Sequence, residues 1–184
     1  WLNADYVIIG RLLGEAGLGI YTIAYRLPEL LIQSIWRVVA GAVFPFFSSI
    51  QERKDLLVRG FLATVRYSLL VVVPLAVGLL VAAEPIVLTV FGEQWREAIP
   101  VLRVMAVFSL IGSIGVNVGD VYKAIGRPDI LAKLGAIDLF VLLPALIVGA
   151  NWGIVGVAWA HAAVAVVDTT VRLIVARIVV GISP

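Results

Sequence analysis

Six apolar runs leave this chain little choice of fold. They occupy about 1–13, 18–47, 61–91, 98–125, 130–150 and 153–180. Roughly 20 apolar residues in a helix span the hydrocarbon of a bilayer, and all but the first run reach that length. The runs lack the alternating pattern of a barrel strand. In lipid, backbone polar groups must then pair within each segment, so helices follow. The prediction is an all-α polytopic membrane protein, a six-helix transmembrane bundle. Its composition closes the aqueous alternative. Of 184 residues, 62% are hydrophobic and 14% charged, with a mean hydropathy of +1.09. Ordinary soluble domains carry about 25% charge. A chain of this size leaves roughly a third of its surface exposed after folding, too much for so apolar a sequence in water. The run over 1–13 is not preceded by a basic stretch or followed by a small-residue cleavage site, so it is not read as a signal peptide. It reads as a helix cut at its start, and the chain as a fragment of a longer one.

Charge sets an orientation. The connection after 18–47 and its flanks hold Arg53, Lys54, Arg59 and Arg66. The connection after 98–125 holds Lys123, Arg127 and Lys133, and the last run ends with Arg172 and Arg177. The opposite side has only Arg11, Arg96 and Arg103. By the positive-inside rule the richer side and both chain ends face the cytoplasm. Trp95, Trp152 and Tyr21 then fall where outer interfacial anchors belong. A net charge of +2 is too small for a nucleic-acid footprint, and no nucleic-acid partner is expected.

Ionisable groups inside a span cost about 2.5–3.5 kcal/mol each on insertion scales, so each needs a reason. In the second run Thr22, Arg26, Glu29, Gln33 and Arg37 recur every three or four residues and share one helical face. Pro28 among them should loosen the helix. Such a stripe must face a water-filled cavity or partner helices. Arg26 keeps its charge at any physiological pH and forks onto phosphate or carboxylate, so it is expected to meet either an anionic ligand or Glu29, Asp5 or Asp120. Arg37, near the inner end, is expected to snorkel to the headgroups. In the fourth run Ser109, Ser113, Asn117 and Asp120 share a face, and Gly112, Gly115 and Gly119 are expected to admit a neighbouring backbone. In the last run His161, Asp168 and Arg172 share a face. Asp168 and Arg172 form an i,i+4 pair, and His161 is expected to be a hydrogen-bonded packing residue. Asp5 and Asp138 complete the set, with Asp138 read as interfacial.

The chain has no cysteine and one histidine, and shows no phosphate-binding Gly-rich loop, nucleophile elbow or zinc-binding histidine pair. No cofactor, no metal and no enzyme activity is expected. An intramembrane enzyme would need two carboxylates together at one depth, and a scaffold would pair its polar stripes and leave no cavity.

Several short motifs carry a resemblance over nearly the whole chain. Residues 5–14 followed by 18–27 (Leu18-Gly19-Ile20-Tyr21 onward) resemble the seventh and eighth helices of the oligosaccharide/polysaccharide flippase family of the multidrug/oligosaccharidyl-lipid/polysaccharide exporter superfamily. Val43-Phe44-Pro45-Phe46-Phe47-Ser48 resembles the inner end of the eighth helix. Phe91-Gly92-Glu93-Gln94-Trp95, Ala124-Ile125-Gly126-Arg127-Pro128 and Gly153-Ile154-Val155-Gly156 resemble later loops. The resemblance implies two six-helix lobes around a central cavity, of which this chain is the second, working by alternating access in a bacterial inner membrane. It implies a polyprenyl-pyrophosphate-linked oligosaccharide as substrate, moved to the outer leaflet for cell-surface polysaccharide synthesis. Its partners would be that lipid-linked oligosaccharide, membrane lipid and the missing N-terminal six-helix lobe. Arg26 would contact the anionic headgroup, with Glu29, Gln33, Asn117 and Asp120 lining the site. Asp5, Thr22, Arg37 and His161 are further cavity or coupling candidates. The alternatives are a cation-coupled drug or peptidoglycan-precursor exporter of the same superfamily, or a non-transporting membrane scaffold.

Overall fold

The computed structural model describes residues 4–180, leaving aside the side chains of 4, 33–40, 42, 54, 116, 117 and 180. Five helical elements follow in order: α1 (Ala4–Ser49), α2 (Lys54–Ile86), α3 (Ala98–Ala124), α4 (Pro128–Ala150) and α5 (Gly153–Val180). A π-turn over Val87–Phe91 and a 3₁₀ turn over Glu93–Trp95 link α2 to α3.

Helix α1 is two helices in one. Gly14 has φ 73° and ψ −174°, a conformation essentially confined to glycine. In one straight helix Asp5 and Tyr21 would stand about 24 Å apart at ~1.5 Å per residue. Instead their side chains hydrogen-bond, and the Tyr6 and Tyr21 rings lie 5.4 Å apart. The chain therefore reverses at Gly14, and the bundle has six helical limbs, all-α as the apolar runs predict. The reversal uses one residue where the sequence pattern allowed a loop over 14–17, because a single glycine at positive φ is enough. Helix α1 runs on through Pro28. The polar stretch after α1 is likewise shorter than its composition implied, since α2 begins at Lys54 with Asp55 complementing the amide ends of its first turn.

Among the described residues four stretches are long and apolar enough to cross a membrane: Asp5–Ile32, Asp55–Phe91, Ala98–Ala124 and Pro128–Ala150. The first includes the reversal at Gly14, so its crossing belongs to the limb that follows. With 28 residues, α5 has the length to cross too. Outward faces are apolar along α2 (Leu70, Val77, Val81), α4 (Phe140, Ile147) and α5 (Val167, Ile174, Ile178). Patches of this extent do not stay wet on a soluble monomer, so the chain is a multi-pass membrane protein.

The core comes in two parts. One, near the Gly14 turn, packs Ile9, Tyr21, Leu102, Met105, Leu146 and Ala158. The other, near the α1–α2 and α3–α4 turns, packs Phe47, Phe61, Val118, Tyr122, Leu134 and Ala176. Helix α3 lies between α1, α2 and α5 and is the most enclosed span. Of the three glycines expected to admit a neighbouring backbone, Gly115 does face α5, where a Cβ would stand 3.8 Å from the Thr169 backbone, but the tightest approach lies elsewhere. A Cβ at Gly115 or Gly119 would meet only ordinary contacts at 3.4 Å, and Gly112 faces open space. Helices α4 and α5 instead touch at Gly149 and Gly156, where a Cβ on Gly156 would collide with the Gly149 carbonyl oxygen. The α3–α5 seam is joined by Thr169 Oγ1, which donates to Ile111 O at 3.3 Å.

Candidate functional site

Between the two core clusters lies a partly open cavity of about 240 Å³ lined by α1, α3, α4 and α5. Its polar wall is formed by Asp5, Tyr25, Asp138, His161, Asp168 and Thr169, and its apolar wall includes Phe108, Gly112 and Leu142. Each polar group is placed by a local rule. Asp5 sits in the first turn of α1, where its Oδ1 accepts the backbone N–H of Tyr6 at 2.9 Å. The hairpin at Gly14 returns Tyr21 opposite Asp5, and the Tyr21 hydroxyl stands 2.8 Å from Asp5 Oδ2. His161 lies one turn after Val157, and its Nδ1 is 3.3 Å from the Val157 carbonyl oxygen. Its Nε2 is 3.3 Å from Tyr21 Oη and 3.9 Å from Asp5 Oδ2. All three side chains are buried.

Aromatic rings hold this cluster. Tyr25 stacks on Tyr21 at 5.4 Å, while Phe108 meets the His161 ring edge-on at 5.7 Å. Across the cavity, Arg172 Nε donates to Asp168 Oδ2 at 2.6 Å, the i,i+4 pair that the sequence predicts. Three carboxyl groups thus face one small space, with one guanidinium paired to one of them. Among the described residues no group of three or more His, Asp or Glu side chains is arranged to hold a metal ion.

The sequence candidates separate into different places. Asp5 and His161 line the cavity together. Thr22 is half-buried and donates from Oγ1 to Leu18 O at 2.7 Å. Glu29 is half-buried. Arg26 is exposed and makes no ion pair among the described residues. Asp120 lies near the end of α3 and pairs with Lys123 at 3.2 Å. Gln33, Arg37 and Asn117 lie outside the described residues. None of Thr22, Arg26, Glu29 or Asp120 lines this cavity. Tyr21 is the clearest departure from expectation. It is no interfacial anchor but fully buried, because the hairpin turns it inward onto Asp5. Trp152 is 72% exposed, as an anchor should be. Asp138, read as interfacial, lines the cavity as well.

The end of the bundle near Gly14 is capped. Trp95 rests on Gly19, where a Cβ would stand 3.2 Å from the ring. Beside it Arg96 bridges Glu93 at 2.7 Å and Glu84 at 3.5 Å. The hydrogen bond from Arg96 holds the Glu93 carboxyl below its usual range.

A family model described as polysaccharide biosynthesis protein matches residues 2–100. The chain is 30% identical to the teichuronic acid biosynthesis protein TuaB of Bacillus subtilis over 90% of its own length and 35% of that protein. It is 31% identical to the lipopolysaccharide biosynthesis protein WzxC of Escherichia coli, over 92% of its own length and 37% of the relative. To the probable low-salt glycan biosynthesis flippase Agl15 of Haloferax volcanii it is 28% identical, over 91% and 36%. The chain thus spans a little over a third of the length of these relatives. No solved structure matches it.

Proposed function

The chain belongs to the polysaccharide biosynthesis protein family, and from that premise we propose that it is the C-terminal six-helix lobe of a flippase for lipid-linked oligosaccharides. In this proposal the complete protein carries a polyprenyl-pyrophosphate sugar from the cytoplasmic to the outer leaflet of the bacterial inner membrane. The two lobes rock about a central site in alternating access. The excess of Lys and Arg around the α1–α2 and α3–α4 turns supports cytoplasmic ends. The name of Agl15, a probable glycan biosynthesis flippase, supports a carrier of glycans.

The observation that carries the proposal is Arg26. It lies within a membrane-length helix, points away from the packed interior, and has no carboxylate partner among the described residues. A guanidinium at that depth is costly without an anion. A pyrophosphate presented between two lobes supplies one with the geometry a guanidinium fork matches. Glu29, Gln33, Asn117 and Asp120 are assigned to the same substrate-facing side, and Thr22 and Arg37 continue the α1 stripe. Asp5 and His161 belong to the internal cavity. That cavity weighs against a scaffold, whose polar stripes would close on each other. In the complete protein, Arg26→Ala should abolish export of the glycolipid at normal expression, measured as surface polysaccharide. Arg26→Lys should restore part of it, since an ammonium keeps the charge and loses the fork. Full export by Arg26→Ala would overturn the assignment.

A further inference from the structure

Helix α2 carries two guanidiniums on an outward face, and the residues beside them form a groove. Arg59 and Arg66 stand seven residues apart, so they share that face, about 10 Å from one another along the axis. Both are exposed, and neither has a carboxylate partner among the described residues. Asp55, one turn before Arg59, pairs with Arg53 instead, at 4.0 Å. The basic groups around the α3–α4 turn differ, since Asp120 holds Lys123, and Asp129 holds Arg127 and Lys133. Arg66 opens onto a groove of about 560 Å³ whose walls include Leu62, Leu69, Leu70, Val73 and Pro74. Apart from Arg66, every side chain lining it is apolar. The depth of the pair follows from α2 itself. Between Arg66 and Glu84 no residue carries a charge, and that stretch is about the length that crosses hydrocarbon, roughly 17–25 residues. Tyr67 is exposed, and an outward tyrosine belongs at the membrane–water boundary. Arg66 therefore sits at the edge of the hydrocarbon and Arg59 among the headgroups. Helical side chains lean toward the helix N-terminus, so Arg66 leans toward Arg59.

We propose that this face of α2 binds an anionic phospholipid, its phosphate between Arg59 and Arg66 and an acyl chain in the groove that ends at Pro74. Charge complementarity selects the occupant. Two guanidiniums without a carboxylate stand at the headgroup level, and the guanidinium fork matches a phosphate. Basic groups at the end of a membrane span attract anionic lipid. The groove continues into the outward apolar face of Val77 and Val81, so a chain leaving the phosphate stays in hydrocarbon along its length. One molecule satisfies both the cations and the groove. A free phosphate leaves the groove empty. A saccharide finds no hydroxyl or amide in it, since Thr64 donates to Gly60 O at 2.8 Å and Ser68 is buried. A phospholipid therefore fits this face better than a lipid-linked oligosaccharide. The site is on α2, apart from Arg26 on α1, and lies outside the transport reading.

The test uses the full-length protein in phosphatidylcholine nanodiscs, titrated with phosphatidylglycerol that carries a photoreactive group on its acyl chain. Mass spectrometry maps the cross-links. In wild type they should fall within residues 62–74. Arg59→Gln and Arg66→Gln should each raise the half-saturating lipid fraction about fivefold, the weight of one basic residue beside an anionic surface. Leu70→Trp should fill the groove and move the cross-links elsewhere with both guanidiniums in place. Photoreactive phosphatidylethanolamine should label 62–74 weakly, and equally in wild type and Arg66→Gln. A wild type with no cross-link in 62–74 overturns the proposal, the groove then being covered by another part of the complete protein. Equal labelling by phosphatidylglycerol in wild type and the double Arg59→Gln, Arg66→Gln variant also overturns it, leaving ordinary boundary lipid. Competition by glycerophosphoglycerol, the headgroup without chains, would reassign the site to a free phosphate. Displacement by lipid-linked oligosaccharide at a lower concentration than phosphatidylglycerol would reassign it to the carried substrate. None of these results depends on whether the protein flips a glycolipid.

Discussion

Asp5 and Tyr21, sixteen residues apart on the two limbs of α1, meet at 2.8 Å because the chain folds back on itself at Gly14. The contact places a carboxyl group in the bundle interior and positions the hydroxyl that links it to His161 on the last helix.

Gly14→Ala should destabilise the complete protein by about 1–3 kcal/mol, the range for a residue forced into a sparsely populated backbone region. At ψ −174° the site lies outside the left-handed helical region, so Gly14→Asn should fare no better than alanine. Thermal unfolding of the purified protein in detergent measures both. An asparagine variant as stable as wild type would contradict the geometry at the turn.

Glycines that look equivalent in sequence should respond differently. Gly156→Ala drives a methyl group into the Gly149 carbonyl oxygen and should cost about 1–3 kcal/mol by overpacking. Gly112→Ala meets open space and should be tolerated or slightly stabilising through helix propensity. The same unfolding assay compares them, and equal effects would refute the packing described for α4 and α5.

Asp120→Asn should change stability by less than about 1 kcal/mol, the usual scale for an ion pair whose cation is largely solvated. A large loss of surface polysaccharide with normal protein level would then report on substrate, in line with the assignment of Asp120 to the substrate-facing side. Wild-type export would remove Asp120 from that assignment.

The Glu93–Arg96 pair has a definite pH sign. Because Arg96 holds the Glu93 carboxyl below its usual range, the pair's contribution is present above the ordinary carboxylate range and is lost as pH falls through the lowered folded value. Trp95 fluorescence should therefore stay constant through mildly acidic pH and change only at lower pH. Glu93→Gln should abolish that low-pH change, and its persistence in the variant would assign it to another group.

Much of the architecture is legible in the residues because membrane insertion imposes it. Apolar runs longer than 20 residues give helices, and the polar interruptions give the order of the turns. The Asp168–Arg172 pair follows from helical spacing alone. What spacing cannot supply is pairing between helices. Tyr21 looks like an interfacial aromatic until Gly14 is known to reverse the chain within one residue, and Asp138 looks interfacial until α4 is set against α5. The stripe of Thr22, Arg26 and Glu29 was visible as periodicity, but periodicity does not say which neighbour it faces. In this bundle it flanks the inward face that carries Tyr21 and Tyr25, so the internal cavity is built by other residues. A signal was present in Asp5, Gly14 and Tyr21, since a glycine midway between two polar residues of an apolar stretch marks a place where they can fold together.

The hairpin has a mechanical meaning. Asp5 and Tyr21 ride on two arms of the same bend and travel as a unit, whereas His161 belongs to a separate shaft at the far end of the chain. Sliding between those shafts would stretch the 3.3 Å link and spare the 2.8 Å one. Displacement of a few tenths of an ångström is therefore felt at one junction, and the histidine is the partner that lets go first.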